Sequence, residues 1–156
     1  IFSINPSTRH HYHNLFQTRK IHKTYQAIAN ISHNETLIGQ KWDIKNHIAQ
    51  GEPRFRMQVA MGNANSHSII RCVQQSAKQA LFELNPITGK THQLRVHMQT
   101  LGWPILNDKY YPQLQPLSKD NYSAPLQLLA QQLQFIDPMT KLSRRFDCGL
   151  SLSLTN

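Results

Sequence analysis

The sequence predicts an α+β fold: a mixed, mostly antiparallel sheet with flanking helices. Two observations carry that reading. Runs in which apolar and polar residues alternate recur along the chain between turn residues, as in half-buried strands. The period then changes to about 3.6 at one place, where Leu94, Met98 and Leu101 fall on one helical face. With 156 residues, 39% hydrophobic and 16% charged, one compact domain with a real core is the expected organisation.

Taken in order, Pro6-Ser7-Thr8 can start a helix, and roughly Ser7 to Arg19 reads as one, with Leu15 and Phe16 as its apolar residues. It ends in a basic stretch, Arg19, Lys20, His22 and Lys23, which leads into an alternating strand over 24–31. Asn34-Glu35 and Gly51-Glu52-Pro53 are loop signals, with Trp42-Asp43-Ile44 a short strand between them. Phe55 to Val59 alternates again, and Gly62 to Ser66 is turn chemistry. Ser68 to Gln75 and Ala80 to Leu84 are two further strands that pair as a meander. Pro86-Ile87-Thr88-Gly89 is a turn before the helix of roughly His92 to Leu101, with Thr91 as its cap and Gly102 and Pro104 as its stop. The start of this helix, with Lys90 beside it, suits an anion. A polar loop runs from Tyr110 to about Ser123, after which Leu126 to Phe135 and Leu142 to Phe146 form a hairpin around Asp137-Pro138-Met139-Thr140. No internal repeat is present.

Composition narrows the function. Seventeen Lys+Arg against eight Asp+Glu leave a formal charge of +9, which favours a polyanionic partner. Basic residues are interleaved with Tyr25, Trp42, Phe55 and Trp103, a mixture able to hold phosphates and stack bases, although widely spaced aromatics also serve simply as core. The longest apolar stretches are far short of the roughly 20 residues of a membrane span. Cys72 and Cys148 lie far apart without a CxxC pair, so neither a disulfide scaffold nor a thiolate zinc site is expected, and a reducing cytoplasm fits. His10-His11-Tyr12-His13 is the densest histidine cluster, but adjacent helix positions cannot all face one ion, so a solvated helix face is expected there. No GxxxxGK[ST], GxSxG or GxGxxG motif supports nucleotide hydrolysis, serine-hydrolase chemistry or a dinucleotide cofactor.

The informative segment runs from Leu84 to Met98, LNPITGKTHQLRVHM, followed by LGWPILNDKYY from Leu101 to Tyr111. It resembles the RluA-like pseudouridine synthases, which carry a P-x-T-G-[RK]-[TS]-H-Q-[IL]-R-x-H helix start and then a G-x-P-[IL]-L-x-D-x-x-Y stretch. Lys23-Thr24-Tyr25-Gln26-Ala27 is similar to the family's K-x-Y-x-A strand. Leu126 to Pro138 is similar to its closing strand and turn, with Leu129 where a His is common. The resemblance is weakest from Asn34 to Gln79.

This resemblance implies an enzyme that flips a uridine out of RNA and isomerises it to pseudouridine, in ribosomal or transfer RNA. An Asp of an H-R-L-D motif attacks the nucleoside, and no metal, organic cofactor or nucleotide cofactor takes part. Arg95 is then expected to pair with that Asp and hold the flipped nucleotide, Leu94 to pack beside the uracil, and Tyr25 to stack on the base and assist proton removal from C5. An extruded base needs a ring face and an apolar wall, and a guanidinium fixes a carboxylate with two hydrogen bonds. Lys23, Lys90 and Arg19 are the expected phosphate contacts. His92 is grouped with the substrate-binding residues, although for His92 and His97 the residues alone favour structural hydrogen bonding.

The five aspartates, Asp43, Asp108, Asp120, Asp137 and Asp147, stand outside any H-R-L-D context, and Asp108 falls where the family's Asp looks structural. In the family the nucleophile precedes the strand that Ile1-Phe2-Ser3-Ile4-Asn5 resembles. The expectation is therefore that residues 1–156 form the C-terminal part of one catalytic domain, inactive alone, with the nucleophile upstream of Ile1. Two alternatives stay open: a non-catalytic RNA-binding module derived from a degenerate synthase, and a general polyanion binder.

Overall fold

A computed structural model describes residues 4–116 and 121–154. The alternating half of Ile1-Phe2-Ser3-Ile4 before Ile4, and Asp120, lie outside the described residues. Helix α1 (Pro6–Gln17) is capped by Asn5, whose side chain accepts from the Ser7 N–H at 3.0 Å. Strands β1 (Ile21–Asn30), β2 (Lys41–Gln50), β3 (Met57–Ala60), β4 (Ser66–Gln75) and β5 (Gln79–Pro86) follow. Helix α2 (Gln93–Thr100) and the strands β6 (Leu128–Ile136) and β7 (Ser143–Asp147) complete the chain. The seven strands form one sheet in the order β3-β2-β4-β5-β1-β6-β7, and each named pairing is antiparallel.

The period-two readings hold where apolar residues alternate strictly. In β4, Ser66, Ser68, Ile70 and Cys72 point inward in succession, and β5 buries Ala80, Phe82 and Leu84, with Leu81 covered on its other face as well. These residues, with Ala27 and Ala29 of β1, meet Leu94 and Met98 of α2 in the main core. Small alanines on β1 leave room for α2 and for Ile105, which bridges to Ala29. Leu15 of α1 seals a smaller cluster with Ile21 and Phe135.

Three local readings are corrected. The short strand expected at Trp42-Asp43-Ile44 is a ten-residue strand, because pairing with both β3 and β4 satisfies a backbone whose polar side chains gave little period-two signal. Phe55 lies outside β3, which begins at Met57; its ring instead stands 5.3 Å from that of Tyr110. Thr91 does not cap α2. The N-cap is His92, in the left-handed region at φ +53°, and makes no side-chain capping bond. Gln93 reaches back instead, its Oε1 accepting from the Lys90 N–H at 3.0 Å. The arginine ending α1 is also left-handed: Arg19 has φ +58°, a position usually given to glycine.

Candidate active site

The cleft forms where three elements meet: the middle of β1, the segment joining β5 to α2, and the first turn of α2. Lys23 and Tyr25, two apart on β1, share a side of the strand, as the pleat requires. Pro86 ends β5, and residues 87–92 turn the chain into α2 across the end of the sheet. Gln93, 3% exposed, rivets that turn. Its Oε1 accepts from Thr88 Oγ1 at 2.6 Å, and its Nε2 donates to Ser68 Oγ at 2.8 Å and to the His67 carbonyl at 2.9 Å. With the Lys90 N–H, every donor and acceptor of that amide is used.

Lys23, Tyr25, Lys90, His92, Leu94 and Arg95, dispersed in sequence, line one cleft of about 250 Å³. Leu128 of β6 adds an apolar wall, and the Lys23 ammonium lies over Gly89, where a Cβ would stand 3.5 Å from Nζ. Arg19 is not in this cleft. It lines an adjoining cavity of about 450 Å³, together with Phe16 and Ile21, that shares Lys23, Gly89 and Lys90 with the cleft. The sequence-predicted contacts thus fall into a central group of six and one cation next door.

Arg95 is no loosely held surface arginine. Its Nε donates to Asp108 Oδ2 at 2.7 Å, a second bond joins Nη2 to Oδ1, and the guanidinium lies 4.6 Å from the centre of the Tyr110 ring. The Asp108 side chain is fully buried and accepts also from the N–H groups of Tyr110, at 2.8 Å, and Tyr111, at 3.2 Å. Asp108 is therefore structural, and it supplies Arg95 with a carboxylate from within the chain.

His92 Nδ1 is 3.1 Å from the hydroxyl of Tyr111. That hydroxyl, on a residue 2% exposed, also donates to the Met57 carbonyl at 3.0 Å and accepts from the Met57 N–H at 2.7 Å, tying the start of α2 to β3. His97 is remote from the cleft: fully buried, its Nε2 stands 3.0 Å from Asn46 Oδ1 and 3.1 Å from Ser66 Oγ.

Burial tunes the titrating groups. It lowers the Lys23 ammonium and raises the Tyr25 phenol, which is therefore protonated at neutral pH and presents a neutral ring face and hydroxyl. His92 is lowered by burial and by the Arg95 guanidinium, so its imidazole is neutral there. The other described aspartates are engaged elsewhere: Asp43 with His67, Asp137 with the β6–β7 turn, and Asp147 with Arg145.

Gln93, Thr88 and Leu128 are cleft residues that sequence reasoning did not single out as such. Gln93 and Thr88 sit inside the motif itself, whereas Leu128 reaches the cleft by a pairing that no local pattern discloses. His10, His11 and His13 are exposed on α1, and no helix among the described residues is long and apolar enough to cross a membrane.

A family profile described as RNA pseudouridylate synthase matches residues 1–100. The chain is 28% identical over 156 residues to a dual-specificity RNA pseudouridine synthase RluA of Haemophilus influenzae, covering 94% of this chain and 65% of that protein. It is 35% identical over 116 residues to an uncharacterized RNA pseudouridine synthase of the same organism, covering 71% of this chain and 48% of the other. The matches thus span between about half and two-thirds of these relatives' lengths. Among solved structures, the human RNA pseudouridylate synthase domain containing 4 superposes with a TM-score of 0.67 at 25% identity, covering 94% of this chain and 64% of that one.

Proposed function

The chain belongs to the RNA pseudouridylate synthase family, and from that premise we propose that residues 1–156 are the C-terminal part of a catalytic domain that converts uridine to pseudouridine in ribosomal or transfer RNA. The observation that carries this reading is the convergence of Tyr25, Leu94, Arg95 and two lysines in one small cleft. An extruded nucleotide needs a ring to stack on, an apolar wall and cations for its phosphates, and this cleft offers all three.

In the proposed reaction the bond from N1 of uracil to C1′ of the ribose breaks, the freed base turns, and C5 bonds to C1′; the proton that C5 then loses is matched by one gained at N1. Tyr25 stacks on the base during that turn, and its hydroxyl, protonated at neutral pH, assists removal of the C5 proton as a relay, giving up its own proton as it takes that one. Leu94 and Leu128 keep water from the base. Arg95, braced by Asp108 and Tyr110, orients the nucleophilic carboxylate and the flipped nucleotide. Lys23 and Lys90 hold the phosphate beside the cleft, and Arg19 holds one farther along. Because all five aspartates stand outside an H-R-L-D context and the described ones are engaged elsewhere, we assign the nucleophile to an H-R-L-D segment upstream of Ile1; the two unpaired cysteines support a place in the cytoplasm.

Tritium release from RNA labelled at uridine C5 tests this, comparing residues 1–156 with a form extended upstream. Release by the extended form alone is expected. No release by either, on bulk ribosomal and transfer RNA, would leave a non-catalytic RNA-binding module.

A further inference from the structure

Resting on the uridine-cleft reading above, we propose that His92 is locked with its ring proton on Nδ1, and that its bare Nε2 accepts a hydrogen bond from the N3–H of the extruded base, so that this histidine distinguishes uracil from cytosine. The Tyr111 phenol has one proton to give, and the nearest acceptor is the Met57 carbonyl at 3.0 Å. The same oxygen accepts from the Met57 N–H at 2.7 Å. With that proton assigned to the Met57 carbonyl, His92 Nδ1, at 3.1 Å from the same oxygen, is the donor. In a neutral imidazole that leaves Nε2 without a proton.

Two further features point the same way. The backbone of His92 is left-handed, which a non-glycine residue adopts only when its surroundings hold it there, and the ring is flanked by those of Tyr110 and Tyr111 at 5.7 Å and 5.8 Å. Burial and the Arg95 guanidinium keep the ring uncharged.

Most polar side chains around His92 are not free to accept from an N–H. Lys23, Lys90 and Arg95 can only donate, and the Gln93 amide is consumed by the turn it fastens. Uracil presents two carbonyl acceptors on either side of one donor, N3–H. Nε2 meets that N–H. Cytosine in the same pose sets the lone pair of its N3 against that of Nε2, leaving two acceptors face to face.

The test is nitrogen-15 NMR of histidine-labelled full chain with methyl- and aromatic-resolved spectra, titrated with uridine 5′-monophosphate, its N3-methyl analogue and cytidine 5′-monophosphate. His92 is expected to show a proton-bearing Nδ1 and a bare Nε2, and uridine monophosphate to shift Nε2. The analogue and the cytidine nucleotide are expected to bind more weakly by about tenfold to a hundredfold, the effect of leaving one such hydrogen bond unmade. Tyr111→Phe, which removes the acceptor for Nδ1–H without touching the cleft wall, is expected to release the proton to either nitrogen and shrink that ratio; wild-type spectra decide the matter should this variant fold poorly. A proton on Nε2 in the wild type, or equal binding of the N3-methyl nucleotide, would overturn the proposal. Shifts at Tyr25 and Leu94 without one at His92 would overturn it while leaving the uridine cleft intact, and shifts at none of the three would overturn both.

Discussion

Arg95 and Asp108 face each other fork to fork, the guanidinium in the first turns of α2 and the carboxylate fully buried in the loop that follows the helix. The pair closes a short circuit. Asp108 also receives the N–H groups of Tyr110 and Tyr111, and Tyr110 lies under the guanidinium. Arg95 is thus aimed at the cleft before any RNA arrives, and the entropy of ordering a long side chain is lost on folding rather than on binding.

Removing the carboxylate leaves a largely covered guanidinium unpaired. Asp108→Ala should therefore cost about 3 to 5 kcal/mol of stability, and Asp108→Asn less, because the amide oxygen still accepts from the loop N–H groups. Urea unfolding of the two variants beside the wild type measures this, and equal stabilities would mean that the pair contributes nothing to the fold.

In the upstream-extended protein, Arg95→Ala should abolish or severely reduce tritium release. Arg95→Lys should rescue little, since an ammonium cannot reproduce the two-pronged bond to Asp108. Near-normal release by the alanine variant would remove Arg95 from the chemistry.

Tyr25 separates stacking from proton transfer. Tyr25→Ala should weaken RNA binding by about 1 to 3 kcal/mol, the range for loss of one base-stacking platform. Tyr25→Phe should bind normally, and its turnover then reads the hydroxyl alone: unchanged release would leave Tyr25 a stacking ring only.

Arg19→Gly should split stability from binding. Glycine takes the left-handed position at the end of α1 without strain, so stability should hold or rise by up to about 1 kcal/mol, partly offset by the greater freedom of the unfolded chain. RNA affinity should fall, and the slope of log affinity against log salt should shrink by about 1. An unchanged salt slope would place Arg19 off the RNA path.

His97 provides an acid-sensitive element away from the cleft. Burial first, and then the nearby His67, lower it from 6.5 to about 4 in the folded chain. The unfolded chain therefore binds more protons between these values, and stability should fall by on the order of 2 kcal/mol as pH drops from 6.5 towards 4. His97→Gln, whose amide can still reach Asn46 and Ser66, should lose that part of the pH dependence. Parallel wild-type and variant unfolding curves across this window would assign the titration elsewhere.

Much of the site was legible because the motif is local: Lys90 to Arg95 sit within one turn and one helix start, and Lys23 and Tyr25 within one strand. The alternation of β4 and β5 and the Leu94-Met98-Leu101 face were legible because each follows a single burial direction. What escaped was set by partners distant in sequence. The length of β2 depends on pairing on both edges, the cap of α2 on the reach of Gln93 rather than the hydroxyl of Thr91, and the cleft wall at Leu128 on the register of β6 with β1. Arg95 was expected to await a carboxylate from outside the chain, yet Asp108, thirteen residues on, already braces it.

The sheet order has a kinetic consequence. Strand β1, which carries Lys23 and Tyr25, is zipped on one side to β5 and on the other to β6, both of which follow it in the sequence, β6 much later than β5. The second closure joins residues about a hundred apart, against about fifty to sixty for the first, so it is the slower event, and Leu128 reaches the cleft only when it occurs. A nascent or partly unfolded chain therefore displays the cations without the finished cleft, able to attract a polyanion electrostatically before the pocket that would seat a single base exists.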